Sequence, residues 1–235
     1  MTTSRAFLAF IVVASALGCA VKKEPSLAGQ YNVLDRYEQD GDGEASLFKG
    51  DAIVLSDAEI ARILASPVTV ASSNRLAVLK LGTTRYWSEE HAKAEEATVA
   101  ALLSRLRSAS AVTFAGELPK LLIPEKKTVP FLREAAARYR ADLLLVYDTN
   151  VRTFTKYRTL GKDEVRALCS VEAVLLDVRT GLVPFTTRRV EEVLASRAPD
   201  DIDFSETIAK AIASAEGRAL EAIGGEAVAF LGGGR

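Results

Sequence analysis

The chain has 235 residues, of which 49% are hydrophobic and 26% charged, and 30 Lys and Arg against 31 Asp and Glu give a formal net charge of −1. That balance lacks the basic excess of a nucleic-acid binder, and the length and composition suit one globular core with a small appendage. One histidine and two cysteines leave little material for metal ligation or nucleophilic chemistry.

Arg5 precedes a largely apolar run from Ala6 to Leu17, and Gly18-Cys19-Ala20 follow. A cationic start, about a dozen apolar residues and a small residue before the cut make a secretory signal; a membrane span would need about 20 apolar residues. Ala16-Leu17-Gly18-Cys19 resembles the bacterial lipobox, although Ala16 stands where Leu is usual. The resemblance implies that residues 1–18 are removed and that Cys19 carries a covalent diacylglycerol lipid, with its new amino group acylated. Ala20 stands where an Asp would favour inner-membrane retention, so the same resemblance implies an outer-membrane lipoprotein facing the periplasm. Cys169 is then the one remaining thiol and has no disulfide partner within the chain. It lies among alternating Val165, Ala167, Val171 and Ala173, where a free thiol behaves as a small hydrophobe.

Residues 19–45 read as a flexible tether, since Asp35 to Glu44 holds six charged residues and two glycines and cannot bury enough apolar surface to offset its ordering entropy. Asp40-Gly41-Asp42-Gly43-Glu44 has the alternating oxygens of a calcium loop, but Ala45 stands at the sixth position and Asp51 at the twelfth, so it reads as a solvated acidic loop and no metal site is expected. Residues 46–73 form a short leading helix and linker. Ser56 is the N-cap, Glu59 completes a capping box, Ile60, Ile63 and Leu64 give the apolar stripe, and Pro67 ends the helix. This helix is expected to pack on the domain edge.

Residues 74–231 form a single α/β domain. Arg75 to Leu81, closed by Gly82, suits a strand buried on both faces. Ser88 then caps a helix with Glu89 and Glu90 in its first turn and Val99, Leu102, Leu103 and Leu106 on one stripe; His91 falls in that exposed first turn. Ala111 to Ala115 is a second strand and Leu118 to Lys127 a loop. Pro130 opens a helix with Phe131, Leu132, Ala135, Ala136 and Tyr139 on one face. Ala141 to Tyr147 is the most apolar run after the signal and reads as the central strand, extended by Val151 to Lys156. Val165 to Val178 and Leu182 to Val193 then return as antiparallel strands, with Pro184 favouring an edge for the last. Asp203 begins the closing helix with Glu206 in a capping box; its buried stripe is Ile208, Ile212, Ala215, Ala219 and Ile223. Gly224-Gly225 is expected to break it, and residues 232–235 to form a frayed tail.

The fold class is therefore α/β (α+β): two β-α units, an antiparallel three-strand meander and a closing helix on a five-stranded mixed sheet. Arg75-Leu76-Ala77-Val78-Leu79, the passage from Ala136 to Val146 and the hairpin Leu176-Asp177-Val178-Arg179-Thr180-Gly181 carry a resemblance to the periplasmic α/β domains of bacterial lipoproteins similar to the curli secretion subunit and the penicillin-binding-protein activator. The resemblance covers roughly residues 74–225 and implies binding or assembly in the envelope without catalysis. It transfers no catalytic residue. The paired long amphipathic hairpins of a curli-type channel wall are missing, and Lys156-Tyr157-Arg158 and Lys162-Asp163-Glu164 are too charged for one.

No nucleophile with its base, metal-ligand spacing or phosphate loop stands out, so no catalytic residue, metal or cofactor is expected beyond the lipid at Cys19. Asp200-Asp201 reads as a solvated pair before a helix. Arg152, Lys156, Arg158, Lys162 and Arg166 cluster about the first turn of the meander, with Arg188 and Arg189 on its last strand. They could meet an acidic partner, lipid head groups or an anionic cell-wall polymer through charge and bidentate arginine contacts, or simply be the charge that keeps an edge from pairing. A non-catalytic protein-binding module on a lipid anchor is the expectation, and a structural, oligomeric envelope component the alternative.

Overall fold

Strong local signals account for where the elements begin and end. A computed structural model describes residues 56–67, 70–82, 89–159 and 161–233, the side chains of residues 89–91 excepted. The signal, Cys19, the tether and the acidic loop lie outside the described residues, which all belong to one unit, residues 33–235. Ser56 opens helix α1, Asp57–Ala65, as its motif requires: its hydroxyl accepts from the Glu59 amide, and its own amide donates to Glu59 Oε2 at 2.9 Å. The expected packing does not follow. No residue of α1 is buried, because nine residues form only a narrow stripe, and Ile60 is 42% and Leu64 80% exposed.

The sheet is assembled from β1 (Asn74–Lys80), β2 (Val112–Glu117), β3 (Leu143–Lys156), β4 (Glu164–Asp177) and β5 (Phe185–Ser196), in the spatial order β2-β1-β3-β4-β5. β1 pairs in parallel with β2 and β3; β3–β4 and β4–β5 are antiparallel. The apolar run at Leu143 to Tyr147 is central, as its composition demands, and each of these residues is at most 3% exposed.

Helices cover both faces where the strands are apolar. α3 (Val129–Arg138) sets Leu132, Ala135 and Ala136 against Ala77, Leu79, Leu144, Val146 and Leu176. Phe131 turns away from that face and is 43% exposed. α2 (Glu89–Arg107) and α4 (Phe204–Gly233) pack together on the other face, with α4 lying over β4 and β5. Ile208, Ile212, Ala215, Ala219 and Ile223 of α4 are all buried, as their spacing predicts. The helix does not stop at Gly224-Gly225 but continues to Gly233. At Gly224 α2 comes close: a β-carbon there would lie 3.1 Å from Leu102 Cδ1 and 3.2 Å from Arg105 Cγ. The glycine thus answers to helix packing rather than termination.

Candidate functional site

The strand pattern itself leaves one surface uncovered. β3 and β4 are each fourteen residues long, about 45 Å at strand rise, whereas the ten residues of α3 reach only about 15 Å. α3 covers the start of β3, and beyond Val146 the same sheet face has no helix over it among the described residues. The register lays out what this open face carries. Asp148 stands beside Glu172 and Arg188, Asn150 beside Ser170 and Val190, Arg152 beside Leu168 and Glu192, Phe154 beside Arg166 and Leu194, and Lys156 beside Glu164 and Ser196. Their neighbours along each strand point to α4. Val165, Ala167, Cys169, Val171, Ala173 and Leu175 are 0–1% exposed.

Phe154 is 60% exposed, Leu194 67% and Val190 50%, so apolar and charged groups share the face. A shallow concavity of about 350 Å³ runs between Asp148, Asn150, Arg152, Leu168, Ser170, Glu172, Arg188 and Val190. Arg188 Nε reaches Ser170 Oγ at 3.1 Å and Glu172 Oε1 at 3.3 Å, and Arg166 Nε lies 3.3 Å from Glu192 Oε1. Burial raises the Asp148 carboxyl above the usual carboxylate range, and the charge of Glu172 adds to this against a hydrogen bond from the Thr149 amide.

Of the five residues expected to form a basic site, Arg152, Lys156 and Arg166 share this face. Arg158 follows the end of β3, where it forks onto both oxygens of Glu164 at 2.9 Å and its amide donates to Asp163. Lys162 stands in the turn. Arg188 and Arg189 divide between the faces, and Arg189 pairs with Glu226 of α4. Among the described residues Arg152, Lys156 and Lys162 have no ion pair, while Glu164, Glu172, Glu192 and Asp148 alternate with the cations. Sequence reading did not set those acids beside the cations, and it missed the exposed Phe154, Val190 and Leu194. The available signal was parity, because all three fall on even positions while the buried residues of β4 fall on odd ones paired to the opposite face.

A second polar cluster lies on the helix side. Lys80 Nζ, at the end of β1, meets Glu216 of α4 at 2.8 Å and Glu95 of α2 at 2.9 Å, and Thr149 adds a hydroxyl to Glu216. Burial opposes the charged ammonium, but the two carboxylates outweigh it and raise the Lys80 pKa. The arrangement clamps both helices to the sheet. Cys169, on the same side, is fully buried, and burial followed by the Glu216 charge pushes its thiol up to about 12. It is therefore protonated and inert at neutral pH, in agreement with a small hydrophobe.

Asp201 corrects an expectation. It is not solvated: 6% exposed, it accepts from Lys210 Nζ at 2.7 Å, Thr207 Oγ1 at 2.5 Å and the Ala198 amide at 2.9 Å. These bonds, that from Lys210 foremost, hold its carboxyl near pKa 2. Asp203 caps α4 by accepting from the Glu206 amide at 3.0 Å, while Glu206 reaches back to the Ile202 amide rather than to that of the cap.

No protein-family model matches the chain, and no curated protein does. Solved structures to which it is similar include the PelC dodecamer from Paraburkholderia phytofirmans, 14% identical over 65% of this chain and 89% of that one, with a TM-score of 0.34. A second is the lipoprotein GNA1162 from Neisseria meningitidis, 14% identical over 60% of this chain and 95% of that one, TM-score 0.34. A third is the minor lipoprotein from Acinetobacter baumannii, 9% identical over 67% and 91%, TM-score 0.31. At these identities and TM-scores none of them assigns a family or an activity to this chain.

Proposed function

We propose that this chain is an exported lipoprotein, anchored through Cys19, whose α/β domain is a non-catalytic binding module for another envelope protein. The signal and lipobox in the sequence support the anchor, and the resemblance noted at Arg75 to Leu79 and Ala136 to Val146 supports an envelope role. Among the described residues no helix is long and apolar enough to cross a membrane. Ala20 favours the outer membrane, with the domain facing the periplasm.

The observation that carries the binding role is the open meander face, where Phe154 and Leu194 are more than half exposed beside Arg152 and Lys156. Exposed apolar groups rimmed by charge mark interaction sites. A protein segment with acidic residues around an apolar anchor would neutralise Arg152 and Lys156 and cover Phe154. Full-length protein carrying R152E and K156E should lose its envelope partner in pull-downs from detergent-solubilised membranes while keeping its melting midpoint. Retention of every partner by the double reversal would overturn this assignment of the face.

A further inference from the structure

β5 is an edge strand with no pairing partner on its outer side among the described residues, and none of its twelve residues is buried. Its centre reads Arg188-Arg189-Val190-Glu191-Glu192. We propose that β5 pairs antiparallel with β5 of a second copy about a two-fold axis at Val190, joining two five-stranded sheets into one. In that register Arg188 stands opposite Glu192 of the second copy and Arg189 opposite its Glu191, and both pairs recur by symmetry.

The backbone allows the same register. The Arg197 amide donates to the Asp163 carbonyl at 3.0 Å, and the β4–β5 pairing runs without a shift from Ser196 to Phe185. Antiparallel alternation then turns the N–H and C=O of odd-numbered β5 residues toward β4 and those of even-numbered residues outward. Pairing about Val190 sets 186 against 194, 188 against 192 and 190 against 190, all outward-facing. A slip of two residues either way puts Arg189 opposite Arg189 or Glu191 opposite Glu191, and directly opposed like charges destabilise a strand pair. Charge and hydrogen bonding therefore select one register.

The partners these side chains already have do not block the contact. Arg188 and Glu192 hold their present pairs only at 3.3 Å, and their side chains are about half to two-thirds exposed. Arg189 is paired with Glu226 of its own α4, but its side chain is still 49% exposed and can be shared with Glu191 of the second copy, which carries no ion pair among the described residues. α4 lies over β4 and β5, so the two-fold places its mate about two strand spacings away, about 10 Å, which is the distance at which helices pack. A charged edge normally repels other chains; here its two halves carry opposite signs and suit the same strand reversed. The occupant is a second copy, and the open face described above stays free and becomes twice as wide.

Full-length protein carrying Val190→Cys tests the register. Residues 190 of the two copies would have Cα atoms about 5.5 Å apart, within disulfide reach. Thr186→Cys is the control, because its counterpart lies eight positions along the strand, about 27 Å away. Mild oxidation in membranes should give a dimer band on a non-reducing gel for V190C and none for T186C. In the V190C background, R188E/R189E and E191R/E192R should each lose the band alone and regain it as a heterodimer when co-expressed. No V190C dimer, or a T186C band of equal strength, would overturn the proposal whether or not the charge variants fold.

Discussion

Lys80 shows how much one residue can hold in place. Its ammonium bridges Glu216 and Glu95, with its side chain only 21% exposed, and removing one partner of such a cluster leaves buried charge uncompensated. Lys80→Met should therefore cost on the order of 3 kcal/mol in denaturant unfolding at neutral pH, and K80M/E216Q should recover part of it. Asp201 gives a pH signature instead. Its carboxyl titrates near 2 when folded and near 3.9 when unfolded. A depressed folded value contributes stability that is present above pH 4 and is lost as the pH falls toward 2. Between pH 5 and 2 the wild type should accordingly lose on the order of 1–2 kcal/mol more than D201N, as read from urea midpoints.

Among the elements, β3 does two jobs with one continuous strand. Its first five residues fill the core, and of its last nine the even-numbered ones, Asp148 to Lys156, carry the open face, so substitutions at the two ends should separate. Leu145, fully buried at mid-sheet, should cost about 2–5 kcal/mol when changed to Ala, through lost transfer energy and the cavity left behind. Changing exposed Arg152 to Glu should leave unfolding almost unaffected. The β4–β5 turn depends on its backbone. Gly181 has φ +76°, and a β-carbon there would lie 3.1 Å from the guanidinium of Arg133, which donates to the Val178 and Arg179 carbonyls. Gly181→Ala should cost about 1–2 kcal/mol from the left-handed conformation, and more if Arg133 is displaced.

For the whole molecule, the proposed anchor and binding face are separable. Cys19→Ser should move the protein from the membrane fraction to the soluble fraction of lysed cells without changing the melting midpoint of the domain. Partner binding at the open face should weaken with salt, because the Debye length falls from about 10 Å at 0.1 M to about 3 Å at 1 M, and R152E/K156E should remove most of that dependence. Helices pack on both faces of the sheet, and beyond Val146 the meander presents a face with no helix over it among the described residues.

Short-range information was enough for most of the architecture. The periodicities at Leu76 to Leu79, Leu143 to Val146 and Ile208 to Ile223, the capping box at Ser56 and the hairpin signals around Gly181 each depend on neighbours within a few residues, and the strand and helix order followed from them. Cys169 was legible as core for the same reason, since alternation places it with Val165 and Val171. The tertiary structure alone decided what depends on distant partners. Gly224 stays helical because α2 passes against it, Asp201 is buried because Lys210 and Thr207 close over it, and Ile60 and Leu64 remain exposed although their spacing is that of a packed stripe. The basic cluster shows the limit most clearly. Its cations were visible in sequence, but Glu164, Glu172 and Glu192 come beside them only through cross-strand register, and that register is set by the packing of two sheet faces against three helices.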